Sequence, residues 1–271
     1  MSCIKNLIAA NLFSNYLFSR LVLLALLTQV KVTSASEPEL FLVTEHLPPY
    51  QIVDQNSQLS GFSVELVHEV LKRSGYSYQM NVYSWVRSYN LTLQKPNHCI
   101  FSIARLPIRE NLFQWIGQIT ELNNAVIWGI KAKQHDKIND IEEIKKYLIA
   151  VNKNDATHLG LVERGFVENK NLYVLEHTNS LINLLMTRPE IDFIVADDIT
   201  IAYRAELAGV DFDSLQRVFE VKDLQLDFHL ACNKQTPKAI TDKLTQALKS
   251  IHSDGFYQNT LAKWRGKMNH R

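Results

Sequence analysis

Residues 40–75 open with Leu40-Phe41-Leu42-Val43-Thr44, turn through Glu45-His46-Leu47-Pro48-Pro49-Tyr50, and later run Gly61-Phe62-Ser63-Val64-Glu65-Leu66-Val67-His68-Glu69-Val70-Leu71-Lys72-Arg73-Ser74-Gly75. The first five residues are a short apolar run rich in strand formers. The two prolines forbid regular structure after it and fix a rigid loop. In the third piece Phe62, Leu66 and Val70, with Val67 and Leu71, fall on one helical face. Glu65 lies near the start of that helix, Lys72 and Arg73 near its end, and Gly75 just beyond, which suits the helix dipole and a left-handed cap. Strand, fixed loop and helix in this order are the first unit of an α/β chain.

The alternation continues downstream. Strands are predicted at Tyr78–Tyr83, Cys99–Ile103, Ala125–Ile130, Leu148–Val151, Leu172–Leu175 and Ile191–Ala196. Helices are predicted at Ile141–Tyr147, His158–Phe166, Ser180–Arg188 and Ile199–Ala208. Near the end, Ile240, Leu244, Ala247, Leu248 and Ile251 form an amphipathic stripe, and a last short helix, Tyr257–Arg265, carries Leu261 and Trp264. The pattern predicts an α/β architecture with mostly parallel strands. A length of 271 residues suits one large domain or two lobes. There is no internal repeat or Pro/Gly/Ser-rich linker, so two lobes would be joined by short crossover strands.

Upstream, residues 1–36 read differently. They hold Lys5, Arg20 and Lys31 and no acid, an apolar run from Leu21 to Leu27, and the small residues Thr33-Ser34-Ala35-Ser36. That is the pattern of a secretory signal peptide, with cleavage expected between Thr33 and Glu37. The uninterrupted apolar run is well short of the ~20 residues a spanning helix needs, which argues against an anchor. Removing these three basic residues from 29 leaves 26 against 28 acids, a net charge of −2. Near-neutral charge gives no reason to expect nucleic acid or an anionic membrane surface as partner. The mature chain keeps Cys99 and Cys232. Export permits a disulfide, but nothing in the sequence brings them together, and the expectation is two unbonded, small buried hydrophobes.

Catalytic and cofactor signatures are missing. There is no Gly-x-Gly-x-x-Gly or Walker-type loop to cradle phosphates, no Gly-x-Ser-x-Gly elbow, no histidine pair at metal-ligand spacing and no Cys-x-x-Cys. Asp197-Asp198 are neighbours that point about 100° apart on a helix and cannot share a proton. The reading is therefore a non-enzyme that takes no cofactor and no metal.

Seven pieces stand in order between Leu40 and Trp264: Thr44 to Tyr50; Leu59-Ser60-Gly61-Phe62-Ser63-Val64-Glu65-Leu66; Ser84-Trp85; Phe101-Ser102-Ile103-Ala104-Arg105-Leu106-Pro107-Ile108-Arg109-Glu110; Phe113-Gln114-Trp115-Ile116-Gly117; Ile191 to Asp197; and Asp254-Gly255 to Trp264. Together they resemble the family 3 extracellular solute-binding proteins, which serve polar amino acid ABC transporters. The resemblance implies a two-lobed, periplasmic-binding-protein-like (type II) α/β fold with two crossover strands and a ligand cleft. Residues 37–121 and 216–271 would form one lobe and 122–215 the other, the chain crossing near 120 and near 210.

The resemblance also implies the site. Arg109 matches the family arginine that holds the ligand carboxylate, and a guanidinium can grip a carboxylate with two parallel hydrogen bonds. Asp197 matches the acid that holds the ligand ammonium, and it is also placed to cap the helix that follows. Trp85 matches an aromatic stacked on the ligand, with a core tryptophan as the competing reading. Ser102 and Ala104 fall where hydroxyls and backbone groups meet the carboxylate. Asp155, in a loop where the family has hydroxyls, and Glu45 add negative charge to the cleft. Departures stand at Leu106 and Ala104, where hydroxyls are usual, and at Arg105, an added cation. Tyr50, Trp115 and Trp264 read as packing. The implied role is a monomeric periplasmic protein capturing a small-molecule ligand, an amino acid or related carboxylate, for a membrane permease complex. Two alternatives stay open: a dehydratase-like enzyme on the same scaffold, with Asp155, Glu45 or His46 as general acid, and a ligand sensor with no transport role.

Overall fold

The computed structural model describes residues 39–120, 123–176 and 180–269, so the expected signal peptide lies outside the described residues. In chain order the elements are β1 (Leu40–Thr44), β2 (Ile52–Val53), β3 (Leu59–Ser60), α1 (Phe62–Ser74), β4 (Tyr78–Val82), α2 (Trp85–Gln94), β5 (His98–Ala104) and β6 (Phe113–Gln118). Then follow β7 (Asn124–Ile130), α3 (Ile141–Ile144), β8 (Ile149–Asn152), α4 (Ala156–Glu163), β9 (Leu172–Leu175), α5 (Leu181–Thr187), β10 (Phe193–Ala196) and α6 (Asp198–Leu207). The chain ends with β11 (Leu215–Gln225), β12 (Phe228–Asn233), α7 (Lys238–Ser253) and α8 (Phe256–Asn269). A 3-10 turn, Pro107–Leu112, leads into β6.

Two five-stranded sheets result, β4-β1-β5-β12-β6 and β11-β7-β10-β8-β9. The pairs β1/β4, β1/β5, β8/β9 and β8/β10 are parallel. The pairs of β12 with β5 and β6, and of β7 with β10 and β11, are antiparallel. The expected parallel bias therefore holds only within each run of βα units; β7 and β12, the first strand after each crossing, run against the others of their sheet.

Each sheet is covered on both faces. On one face of the first sheet, Leu66, Val67, Val70 and Leu71 of α1 and Leu244, Leu248 and Ile251 of α7 bury against Leu40, Leu42 and Leu230. Gly61, ahead of α1, is at φ 133, and a Cβ there would stand 2.2 Å from the Tyr50 carbonyl oxygen, so only glycine fits. On the other face sits α2, a helix that no apolar periodicity announces. Its buried residues are Trp85, Ser88 and Thr92, a helical spacing filled mostly by hydroxyls, which hides the apolar period. Ser88 Oγ donates to the Thr44 carbonyl at 2.8 Å.

The chain crosses between sheets after β6 and again between β11 and β12, and the two passages lie side by side. Leu226 N donates to the Asn123 carbonyl (2.7 Å), and Phe228 N donates to Thr120 Oγ1 (2.7 Å). The return falls at Leu226–Asp227, later than the crossing expected near 210, because β11 is an eleven-residue strand of the second sheet.

The cysteine expectation is overturned. Cys99 of β5 and Cys232 of β12 are disulfide-bonded, with Cα atoms 3.9 Å apart, and sit opposite each other in the antiparallel register. They are 133 residues apart in sequence. Their meeting depends on which distant strands pair, and spacing does not encode that.

Candidate functional site

The carboxyl ends of the parallel strands of both sheets face one cavity, the crevice where open α/β sheets hold ligands. The space within it, open solvent at its mouth included, is about 840 Å³. Glu45, Trp85, Ser102, Ala104, Arg109, Asp155 and Asp197 all line it. Thus the structure brings together all seven residues singled out above.

On the first-sheet side, Glu45 follows directly on β1. Ser102 has φ 59. His229 faces Ile103 while Leu230 faces Phe101, so Ser102 is the unpaired residue of a bulge, a device that re-aims a side chain. Its hydroxyl accepts a hydrogen bond from Gln51 Nε2. Arg109, on the 3-10 turn, is 1% exposed. Its guanidinium carbon lies 5.1 Å from the Trp85 ring centroid and 5.4 Å from that of Tyr89. Nη1 donates to the Ala104 carbonyl (3.0 Å) and Nη2 to the Asn154 carbonyl (2.9 Å), while Nε is buried with no partner among the described residues. Trp85 Nε1 donates to the same Asn154 carbonyl at 2.8 Å, so both walls meet at this point. Asn154 takes φ 59, a conformation asparagine tolerates.

On the second-sheet side two acids cap helices. Asp155 accepts from His158 N and from Thr157 Oγ1, both at 2.7 Å, at the start of α4. Asp197 accepts from Thr200 N (2.8 Å) and from Thr200 Oγ1 at the start of α6. The expected capping role of Asp197 is present, and it coexists with a place in the cavity.

Crowding of like and unlike charge shifts these groups. Burial, then the nearby Asp155, pushes the Glu45 carboxyl from 4.5 to about 7, against the pull of Arg204 and Arg109. Burial raises Asp155 and Asp197, with their capping hydrogen bonds opposing the rise. Burial lowers Arg109 and Arg204, opposed by Tyr89 for the first and by Glu45 for the second. His46 is lowered by burial and by Arg204.

Arg204 lines the cavity and escaped the reading of the sequence. The signal was present: Asp197, Thr200 and Arg204 stand at i, i+3 and i+7, one face of α6. Arg105, the added cation, lies outside this cavity, paired with Glu110 and 5.3 Å from the Trp115 ring centroid. Tyr50 packs edge-on against Phe228, centroids 5.0 Å apart. Among the described residues there is no cluster of three metal-ligating side chains.

Residues 41–267 match the family described as bacterial extracellular solute-binding proteins, family 3. No curated protein sequence matches the chain. Solved structures share the fold. A histidine kinase sensor domain with similarity to periplasmic binding proteins is 18% identical, with TM-score 0.73, covering 83% of this chain and 95% of its own. The arginine-, lysine-, histidine-binding protein ArtJ of Geobacillus stearothermophilus is 18% identical, with TM-score 0.71 and coverage of 84% and 95%. The GluR0 ligand-binding core of Nostoc punctiforme, in complex with L-glutamate, is 19% identical, with TM-score 0.69 and coverage of 83% and 98%.

Proposed function

The chain belongs to the bacterial extracellular solute-binding proteins, family 3, and on that premise we propose that it is a periplasmic monomer that captures an amino acid or related carboxylate and delivers it to an ABC-transporter permease. One observation carries the choice of ligand: the cavity between the two sheets is lined by two arginines and three carboxylates. A zwitterion satisfies such a lining and an apolar ligand does not. Arg109 keeps its unpartnered Nε and its spare terminal hydrogens for the ligand carboxylate, and Asp197 takes the ammonium. Trp85, Ala104, Ser102, Asp155 and Glu45 supply the rest of the contact around the ligand.

A thermal-shift screen against amino acids, polyamines and small carboxylates tests the reading. A ligand present at 100 times its Kd stabilises the folded state by about 2.7 kcal/mol, a plain rise in Tm. No rise with any amino acid or carboxylate, for a protein that melts cooperatively, removes the proposal.

A sensor role is the second reading, favoured by the likeness to a histidine kinase sensor domain. Uptake of labelled ligand by cells with and without the protein separates the two. Transport requires uptake to fall when the protein is removed; a sensor leaves it unchanged.

A further inference from the structure

We infer that Arg204 and Glu45 form a second, net-neutral charge pair in this cleft, which receives a ligand side chain carrying an acceptor and a donor together, the carboxamide of a glutamine-like amino acid. The inference rests on the reading above, in which Arg109 and Asp197 take the ligand's carboxylate and ammonium.

Arg204 sits two turns into α6, on the face shared with Asp197 and Thr200. Long helical side chains lean toward the helix N-terminus, which carries its guanidinium back over the cavity it lines. Among the described residues it makes no hydrogen bond and no ion pair within 4.0 Å. The charges it feels are Glu45 first, then Asp197 and Asp155. Had Arg204 served only as a counterion, it would be expected to touch one of these acids. Its nitrogens stay accessible from the cavity it lines, so the open acceptor position is a natural place for a ligand atom.

The acids are not equivalent. Asp155 and Asp197 already accept hydrogen bonds at helix starts. Glu45, by contrast, makes no side-chain hydrogen bond or ion pair among the described residues. Two unengaged charges of opposite sign therefore face the cavity from different walls without touching. A side-chain carboxylate would suit Arg204 but meet Glu45. An ammonium would suit Glu45 but meet Arg204. A carboxamide gives its C=O to the first and its N–H to the second, and it brings no charge.

Calorimetric titration at pH 8.5, above the value of about 7 for Glu45, with L-glutamine, L-glutamate and L-lysine tests this on the wild type, Arg204→Met and Glu45→Gln, with melting curves for each. Wild type should bind glutamine at least tenfold tighter than either charged ligand. Arg204→Met should make lysine the best of the three, and Glu45→Gln should make glutamate the best. If Arg204→Met does not fold, Arg204→Lys should keep the preference for glutamine. A wild type that prefers glutamate or lysine overturns the inference, as does a folded Arg204→Met with an unchanged order. Binding of some other amino acid or carboxylate in the broad screen, with none of these three bound, ends the inference and leaves the binding-protein reading standing.

Discussion

The two walls of the cleft are built differently. The first-sheet wall is tied down: the Cys99–Cys232 disulfide joins β5 to β12, Asn233 Nδ2 donates to the Thr92 and Leu93 carbonyls, and Arg109 is fixed by two carbonyls and two rings. The second-sheet wall presents its acids from helix N-termini, where the dipole favours negative charge, and its cavity cation, Arg204, makes no side-chain hydrogen bond or ion pair among the described residues. One wall supplies fixed geometry and the other supplies open charge. Substitutions on the first wall should therefore cost stability, and those on the second should mainly change what binds.

The disulfide gives the largest effect. It closes a loop of 133 residues that contains the whole second sheet. The chain-entropy relation puts its contribution at about 5 kcal/mol. Cys99→Ser with Cys232→Ser should lower urea stability by that order while leaving the ranking of ligands unchanged. Alkylation of unfolded, unreduced protein should label neither cysteine and, after reduction, both. A loss under about 1 kcal/mol would remove the contrast in rigidity.

The arginines give the next effect. Arg109→Met removes the donor to the buried Ala104 carbonyl and one of the two donors to the Asn154 carbonyl, and should cost about 2–4 kcal/mol of stability without ligand. Arg204→Met breaks no side-chain hydrogen bond or ion pair among the described residues and should cost about 1 kcal/mol or less. Equal losses in urea unfolding would show that Arg204 is as much a part of the scaffold as Arg109.

The smallest effect concerns pH. Glu45 is raised from 4.5 to about 7 in the folded protein, so between those values the folded state keeps a proton that the unfolded chain releases. Stability should fall as pH rises through that window and level off above it. After discounting for partial exposure, the loss should be about 1–3 kcal/mol. His46, lowered in the folded state, acts in the opposite direction. The quantity to measure is therefore the wild-type curve minus that of Glu45→Gln. A flat difference would mean that Glu45 stays ionised in the open solvent of the cleft.

What the sequence revealed follows the same division. Thr44 to Tyr50 and Phe101 to Glu110 lie at strand ends, where a fixed loop ties residue order to position, and Glu45, His46, Ser102, Ala104 and Arg109 from them line the cavity together. The helix α1 was legible because its apolar face repeats every turn and both ends carry caps. By contrast, α2 buries Ser88 and Thr92 and shows no such repeat. The extent of β11 and the disulfide depend on non-local strand pairing, which no local pattern specifies. Arg204 was hidden because a surface arginine and a cavity arginine look alike on a helix until the helix face is known.

The proposed function turns on whether this cavity holds a small zwitterion between its walls. A crystal structure of the protein grown with the amino acid that most raises its Tm tests this most directly. The ligand carboxylate should accept from Arg109 and the ammonium should donate to Asp197, at about 2.7–3.2 Å, with the side chain between Glu45 and Arg204. A ligand bound elsewhere, or in the cavity but touching neither Arg109 nor Asp197, would contradict this arrangement.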